Sequence, residues 1–177
     1  EIASSERVAA LADDGELIVP VPADAPPLPM HLAYGEPVAR WAYRDQSGAV
    51  VFWVCRFEPA GERKQILPLT LWRDPSGKVI WRWKAIPKDR PLYRLDAIAA
   101  KPEASVVITE GEKDADAAAK VFTSSVVCTS SGGSQAATKT DWNSLSGRRV
   151  LIWPDADQPG QKYAIQVSEI LTAQGCD

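Results

Sequence analysis

Histidine is almost absent from these 177 residues: the single copy, His31, lies in a proline-rich stretch with no obvious partner. That leaves no basis for a Ser-His-Asp triad or a histidine-built metal centre. Cysteine is scarce too. Cys55, Cys128 and Cys176 are odd in number and far apart, which fits neither a disulfide framework nor a zinc ribbon, so they read as reduced, packed thiols. No apolar run approaches the roughly 20 residues that cross a bilayer, and the N-terminus lacks a basic stretch followed by an apolar segment. The expected setting is cytoplasmic, with no membrane partner. What is present, 45% hydrophobic and 24% charged residues, belongs to a folded chain of one ordinary domain or two small ones.

The net charge of -3 conceals an asymmetry. Between Arg56 and Lys101 eleven Lys or Arg stand against five acids, and five of the seven tryptophans (Trp41, Trp53, Trp72, Trp81 and Trp83) lie in or just before that stretch. Acidic residues concentrate in the N-terminal arm and around Glu110 to Asp116. Such a distribution speaks about partners, and a basic, Trp-rich surface suits nucleic acid.

Three segments follow from the patterning. Residues 1–32 read as a short helix over 4–13 and a Pro-rich, extended linker. Residues 33–101 show short β-type runs broken by turns at "QSG", "PAGERKQ" and "DPSG", the marks of a small antiparallel sheet, and close on a loop and short helix at "IPKDRPLYRLDAIAA". Residues 102–177 alternate strand and helix: "SVVIT", "EGEKDADAAAKVF", "SVVCT", a Gly/Ser loop, "RVLIWP", then "PGQKYAIQVSEILTAQ". Alternation of this kind predicts a parallel sheet flanked by helices, with ligands at the carboxyl ends of its strands. The fold class expected is thus α/β, preceded by a small antiparallel β-rich subdomain. A start at Glu1 rather than Met and a stop at "AQGCD", where a further strand is due, read as an excised portion.

The alternation places the acids. Glu110 follows the first strand of the unit, the Ser130–Ser134 loop the second, and Asp155 and Asp157 the third, so all three groups are expected on one edge. Residues two apart in an extended segment point the same way. Two carboxylates that close repel, and a divalent cation between them converts repulsion into coordination. Hard oxygen donors favour Mg²⁺ or Mn²⁺ over zinc.

"ITEGEKDADAA", with Glu110, Gly111 and Asp114, followed by "PDADQPGQKYA", with Asp155, Asp157 and Gly160, resembles the Toprim domain of bacterial and phage primases, topoisomerases and small nucleases. The likeness covers roughly residues 105–177. The upstream "RFEP" and "PLYRL" elements are similar to what precedes Toprim in phage- and plasmid-type primases. The resemblance implies Glu110 as general acid/base or metal ligand, Asp155 and Asp157 as Mg²⁺ ligands and Asp114 as a supporting acid. It implies a primase-type core that transfers nucleotides from NTPs to short RNA primers on single-stranded DNA, with a helicase, fused or separate, as a possible partner. Pro159 departs from the family's usual Ala, and no zinc-binding module is present.

Simpler local roles compete with these. Thr109 and Glu112 fit a capping box, Asp157 an N-cap and Asp155 a turn former. Asp116 is expected to face solvent. Gly132 and Gly133 fit either a phosphate loop or a plain connection, and Lys113 and Lys162 either phosphate contacts or charge balance. The Trp-rich sheet, most of whose tryptophans read as packing, fits either a small core with solvated basic edges or a groove in which Arg82, Lys84, Lys88, Arg90 and Arg94 meet phosphates while an exposed aromatic stacks on bases. The alternatives by activity are a Toprim nuclease that cuts rather than joins, and a non-catalytic nucleic-acid-binding module. A topoisomerase requires an active tyrosine that neither Tyr43, Tyr93 nor Tyr163 is marked to supply. A dehalogenase-type phosphatase places Thr or Val where Gln158 and Pro159 stand.

Overall fold

The computed structural model describes residues 15–87 and 89–177. The expected helix over 4–13 and Lys88 lie outside the described residues. The chain forms two compact units: of the described residues, the first comprises 15–40 and 51–85, the second 41–50 and 86–177.

The first unit is antiparallel. Strand β1 is Glu16–Leu17; β2, Ala39–Arg44, carries the chain into the second unit; β3 is Val50–Phe57, β4 Gln65–Arg73 and β5 Val79–Arg82. β4 organises the sheet, pairing with β3 from Trp53↔Leu69 to Phe57↔Gln65, with β1 at Leu17↔Trp72, and with β5 from Thr70↔Arg82 to Arg73↔Val79. Cys55, Phe57 and Leu69 are buried, with Leu28, Tyr34, Leu67, Trp81 and Trp83 packed against them. His31 stacks on Tyr34 with ring centroids 4.6 Å apart and meets Trp83 edge-on, and its Nδ1 accepts from the Ala33 and Tyr34 N–H groups. The only histidine is therefore a packed loop residue.

In the second unit, helix α1 (Leu95–Ala100) precedes a parallel sheet of β6 (Val106–Thr109), β7 (Val126–Thr129) and β8 (Val150–Ile152), in the order β7-β6-β8. Helix α2 (Glu112–Ala118) follows β6, three short 3-10 turns follow β7, and α3 (Gln158–Ala173) follows β8. Both β6 and β7 are buried at every position, as a sheet covered on both faces requires. On one face Val106, Ile108, Val126 and Cys128 pack with Tyr163, Val167 and Leu171 of α3. On the other Val107 and Val127 meet Ala115 and Ala118 of α2. Tyr163, Val167 and Leu171 repeat at four-residue steps, the stripe that a half-buried helix presents.

The cysteines behave as packing residues. All three are free, and burial pushes the Cys55 thiol up to about 11 and the Cys128 thiol to about 12, far from the thiolate range that reactivity needs. No helix among the described residues is long and apolar enough to cross a membrane.

Candidate functional site

A parallel three-stranded sheet ends all its strands at one edge, and each strand there delivers a different kind of group. β6 ends in Thr109 and hands over to Glu110; the Oε1 atom of Glu110 accepts a hydrogen bond from the Asp155 main-chain N–H, 2.9 Å away, in the segment that leaves β8. Residues 45 apart in sequence are thus joined at the rim. Gly160, in the first turn of α3, makes that approach possible: a Cβ there would fall far inside contact distance of Glu110 Oε1 and of the Asp155 carbonyl oxygen.

Burial raises the proton affinity of Glu110 first of all. The Asp155 N–H opposes the rise, and the negative charges of Asp155, Asp157 and Asp114 add to it. Three aspartates therefore act on one glutamate; the strand order accounts for Asp155 and Asp157, while Asp114 comes from α2. Asp157 caps α3, its Oδ1 accepting from the Gly160 N–H at 2.8 Å, so the simpler local role is the one realised. Asp114 is exposed on α2, and Asp155 is exposed beyond Pro154. Both line an open hollow of about 320 Å³ floored by Ala117, Ala118, Val121 and Trp153.

Among the described residues, no three His, Cys, Asp or Glu side chains stand close enough together to hold a metal ion as a ready-made cluster. The donor chemistry still fits an open Mg²⁺ site. Every donor is a hard carboxylate oxygen, Glu110 and Asp157 each commit one oxygen to a main-chain N–H and retain another, and Mg²⁺ is held by one or two carboxylates together with water and substrate phosphate.

The acids of α2 divide by face. Glu112 does not close a capping box with Thr109: α2 begins at Gly111 without a side-chain cap, and the Thr109 hydroxyl turns to the Gly111 carbonyl. Glu112 is instead buried and accepts from the Tyr43 hydroxyl at 2.7 Å. Desolvation raises its proton affinity, while the Tyr43 bond favours the charged form. Asp116 does not simply face solvent either. Its two oxygens accept from the Trp41 indole N–H at 2.9 Å and the Tyr93 hydroxyl at 3.0 Å. One turn away, Asp114 keeps to the rim. These partners lie 23 to 75 residues off, and no local signal in the sequence announces them.

Gly132 and Gly133, after β7, both adopt left-handed φ angles of +114° and +61°, a conformation glycine takes without penalty. A Cβ at Gly133 would stand 3.9 Å from the Glu110 carbonyl oxygen, so this loop adjoins the rim. Arg90 braces it: the guanidinium donates to the Ile86 and Ser131 carbonyls, and Nη1 lies 3.2 Å from the Cβ position of Gly132. Arg94 opens α1 in a left-handed conformation, and Lys113 and Lys162 are exposed on α2 and α3. The remaining described cations of the expected groove, Arg82 and Lys84, sit in the first unit over the face of Trp72, at 5.4 and 4.9 Å from its ring centre. None of the tryptophans in the basic stretch is exposed. The exposed tryptophan is Trp153, 52% accessible and meeting Phe122 edge-on, beside the acids instead.

Residues 107–177 match a family described as Toprim-like, which brings Glu110, Asp114, Asp155 and Asp157 inside one domain. No curated protein sequence matches the chain significantly. Among solved structures, the primase fragment of the bacteriophage T7 primase-helicase protein is similar at 19% identity and a TM-score of 0.50, over 78% of this chain and 50% of that one. A DNA primase domain from Pseudomonas aeruginosa is similar at 18% identity and a TM-score of 0.52, over 93% of this chain and 46% of that one. At such identities the likeness is one of fold, and the chain spans about half the length of either structure.

Proposed function

We propose, taking residues 107–177 as a Toprim-like domain, that this chain carries the core of a primase-type nucleotidyltransferase, which joins NTPs into short RNA primers on single-stranded DNA. The observation that carries the reading is the hydrogen bond that joins Glu110 to the Asp155 main chain at the carboxyl edge of the parallel sheet, with Asp155, Asp157 and Asp114 near enough to raise the proton affinity of Glu110. The negative charges of three exposed aspartates add to the raised proton affinity of the partly desolvated Glu110, and a cation at the rim would relieve that repulsion.

In this reading Asp155 and Asp157 hold Mg²⁺, with Mn²⁺ as substitute, and Glu110 and Asp114 complete the set. Such an ion stabilises charge on phosphoryl oxygens and acidifies a bound hydroxyl. The chain's own part is placement. Glu110 is fixed by the Asp155 N–H, and its raised proton affinity moves it towards the range in which a carboxylate takes a proton from an attacking hydroxyl. Lys113, Lys162 and the Gly132–Gly133 main chain are the groups for the nucleotide's phosphates. Arg82, Lys84, Lys88, Arg90 and Arg94 serve the nucleic-acid backbone, and a helicase, fused or separate, is the partner that exposes template.

The test is primer synthesis on single-stranded DNA with NTPs and Mg²⁺, comparing the full protein with its Asp155→Ala/Asp157→Ala variant. Short RNA products from the parent and none above background from the variant are expected. Undiminished synthesis by the variant removes these acids from the mechanism, and cleaved DNA in place of primers makes the protein a nuclease.

A further inference from the structure

Beside the carboxylate rim lies a second cleft, of about 410 Å³, between the turns that follow β7 and the first turns of α3. Gln158, Lys162 and Gln166 line it from the helix; at steps of four they form one stripe. Ser134, Gln135 and Thr138 line it from the loop. Among the described residues, no hydrogen bond or ion pair engages any of these six side chains. The cleft's position is set by its ends: Gln158 directly follows the rim residue Asp157, and Ser134 directly follows Gly133, which adjoins Glu110.

The lining is chemically selective. Three carboxamides, two hydroxyls and one ammonium offer donors and acceptors in quantity and a single positive charge, with no carboxylate and no aromatic ring. The hollow that Asp155 lines is the reverse, floored by alanines, Val121 and Trp153. A ligand suited to the polar cleft carries several hydroxyl-type groups and about one phosphate, and needs no stacked ring.

We infer that this cleft is the ribose-phosphate subsite: Lys162 takes a phosphate oxygen, while Gln158, Gln166, Ser134 and Thr138 bind the sugar hydroxyls of a nucleotide whose reacting phosphate lies at the carboxylates. The inference rests on the nucleotidyl-transfer reading and extends it to residues outside the acidic motifs. The same chemistry is offered by a free NTP and by a nucleotide unit of an RNA strand. Two hydroxyl-reading walls favour ribose over deoxyribose, since a 2′-hydroxyl supplies both a donor and an acceptor.

The test is equilibrium binding of ATP, dATP and an eight-nucleotide RNA to the full protein in Mg²⁺, with the glutamine side-chain amide resonances followed by NMR. Lys162→Gln should weaken binding about 10-fold, and Gln158→Ala/Gln166→Ala should weaken ATP by a similar factor while erasing its advantage over dATP. Both changes are on an exposed helical face, and circular dichroism verifies the fold. Shifts with ATP alone assign the cleft to the incoming nucleotide, and shifts with RNA alone to the growing strand. Unmoved amide resonances, or wild-type affinity in both variants while Asp155→Asn/Asp157→Asn loses it, overturn the cleft and leave the carboxylate reading standing. Nucleotide binding at the cleft without primer synthesis overturns that reading and keeps the subsite. No binding of any probe at millimolar concentration overturns both.

Discussion

At the tips of two hairpins, Asp45 and Asp74 are saturated with donors. In each, Oδ1 accepts from the N–H and the hydroxyl of the serine two residues on and from the N–H four residues on. At the edge of the parallel sheet the protein supplies its carboxylates with fewer donors. Glu110 and Asp157 each accept one main-chain bond, and Asp114 and Asp155 accept none among the described residues. The consequence appears in proton affinity: the turn aspartates are held below the usual carboxylate range, led by their serine hydroxyls, and Glu110 is pushed above it by burial and its acidic neighbours. Acids that build a turn are completed by the protein itself, whereas Asp114, Asp155 and Asp157 at the rim are exposed to solvent and keep oxygens free for a further partner.

The sharpest way to break this contrast is Gly160→Ala. In an ordinary exposed helix the change stabilises by up to about 1 kcal/mol. Here the new Cβ drives into Glu110 Oε1 and the Asp155 carbonyl, and a clash against backbone relaxes poorly, so a net loss of roughly 2 kcal/mol or more is expected, read as a lower Tm together with loss of the Asp155 amide's hydrogen-bonded shift. A variant as stable as the parent shows that the rim is not closed around Gly160.

Much of this arrangement is legible in the sequence, and the reasons differ from residue to residue. Val106–Thr109 and Val126–Thr129 announce themselves as short apolar runs between helical segments, and the rule that parallel strands present their carboxyl ends together carries Glu110, Asp155 and Asp157 to one edge without further information. Gly160 is legible as part of a motif, but its necessity is not, because the atom it makes room for belongs to a residue fifty positions upstream. Glu112 and Asp116 show the same limit. Local grammar offers Glu112 a capping box and Asp116 the solvent, and both are overruled by Trp41 and Tyr43 of β2 and by Tyr93 of the segment before α1, whose hydrogen bonds exist only once those segments lie beside α2. The tryptophans divide for a related reason. Trp81 and Trp83 pack in the first unit and Trp72 lies beneath two cations, so richness in tryptophan there records a small core, while Trp153, ordinary in the sequence, is the exposed one.

A smaller effect separates the two roles of Asp157. Asp157→Ala removes both cap and charge, while Asp157→Asn keeps an acceptor for the Gly160 N–H and removes only the charge. The alanine variant should lose about 1 kcal/mol in denaturant unfolding and the asparagine variant a few tenths at most. If both nevertheless lose primer synthesis equally, the charge at the rim matters beyond the cap; if only the alanine variant loses it, Asp157 acts through the helix alone.

The smallest effect tests the comparison directly, by carboxyl NMR titration with unfolding measured across the acid range. Asp45 and Asp74 bind fewer protons folded than unfolded between their lowered values and the ordinary range. Their contribution is therefore complete above that range and is lost as pH falls through the lowered values. Glu110 has the opposite sign: the folded protein binds more protons than the unfolded chain just above the ordinary range, so stability declines as pH rises towards its raised value. Because the turn aspartates are exposed, solvent screens their interactions and the stability change is slight, but the order of titration is not. Asp45 and Asp74 should deprotonate first and Glu110 after them, and adding Mg²⁺ should move Glu110 down while leaving both turn residues where they were. A Glu110 that titrates with the turn aspartates, or that ignores the cation, means the rim carboxylates are as well satisfied as those of the hairpins.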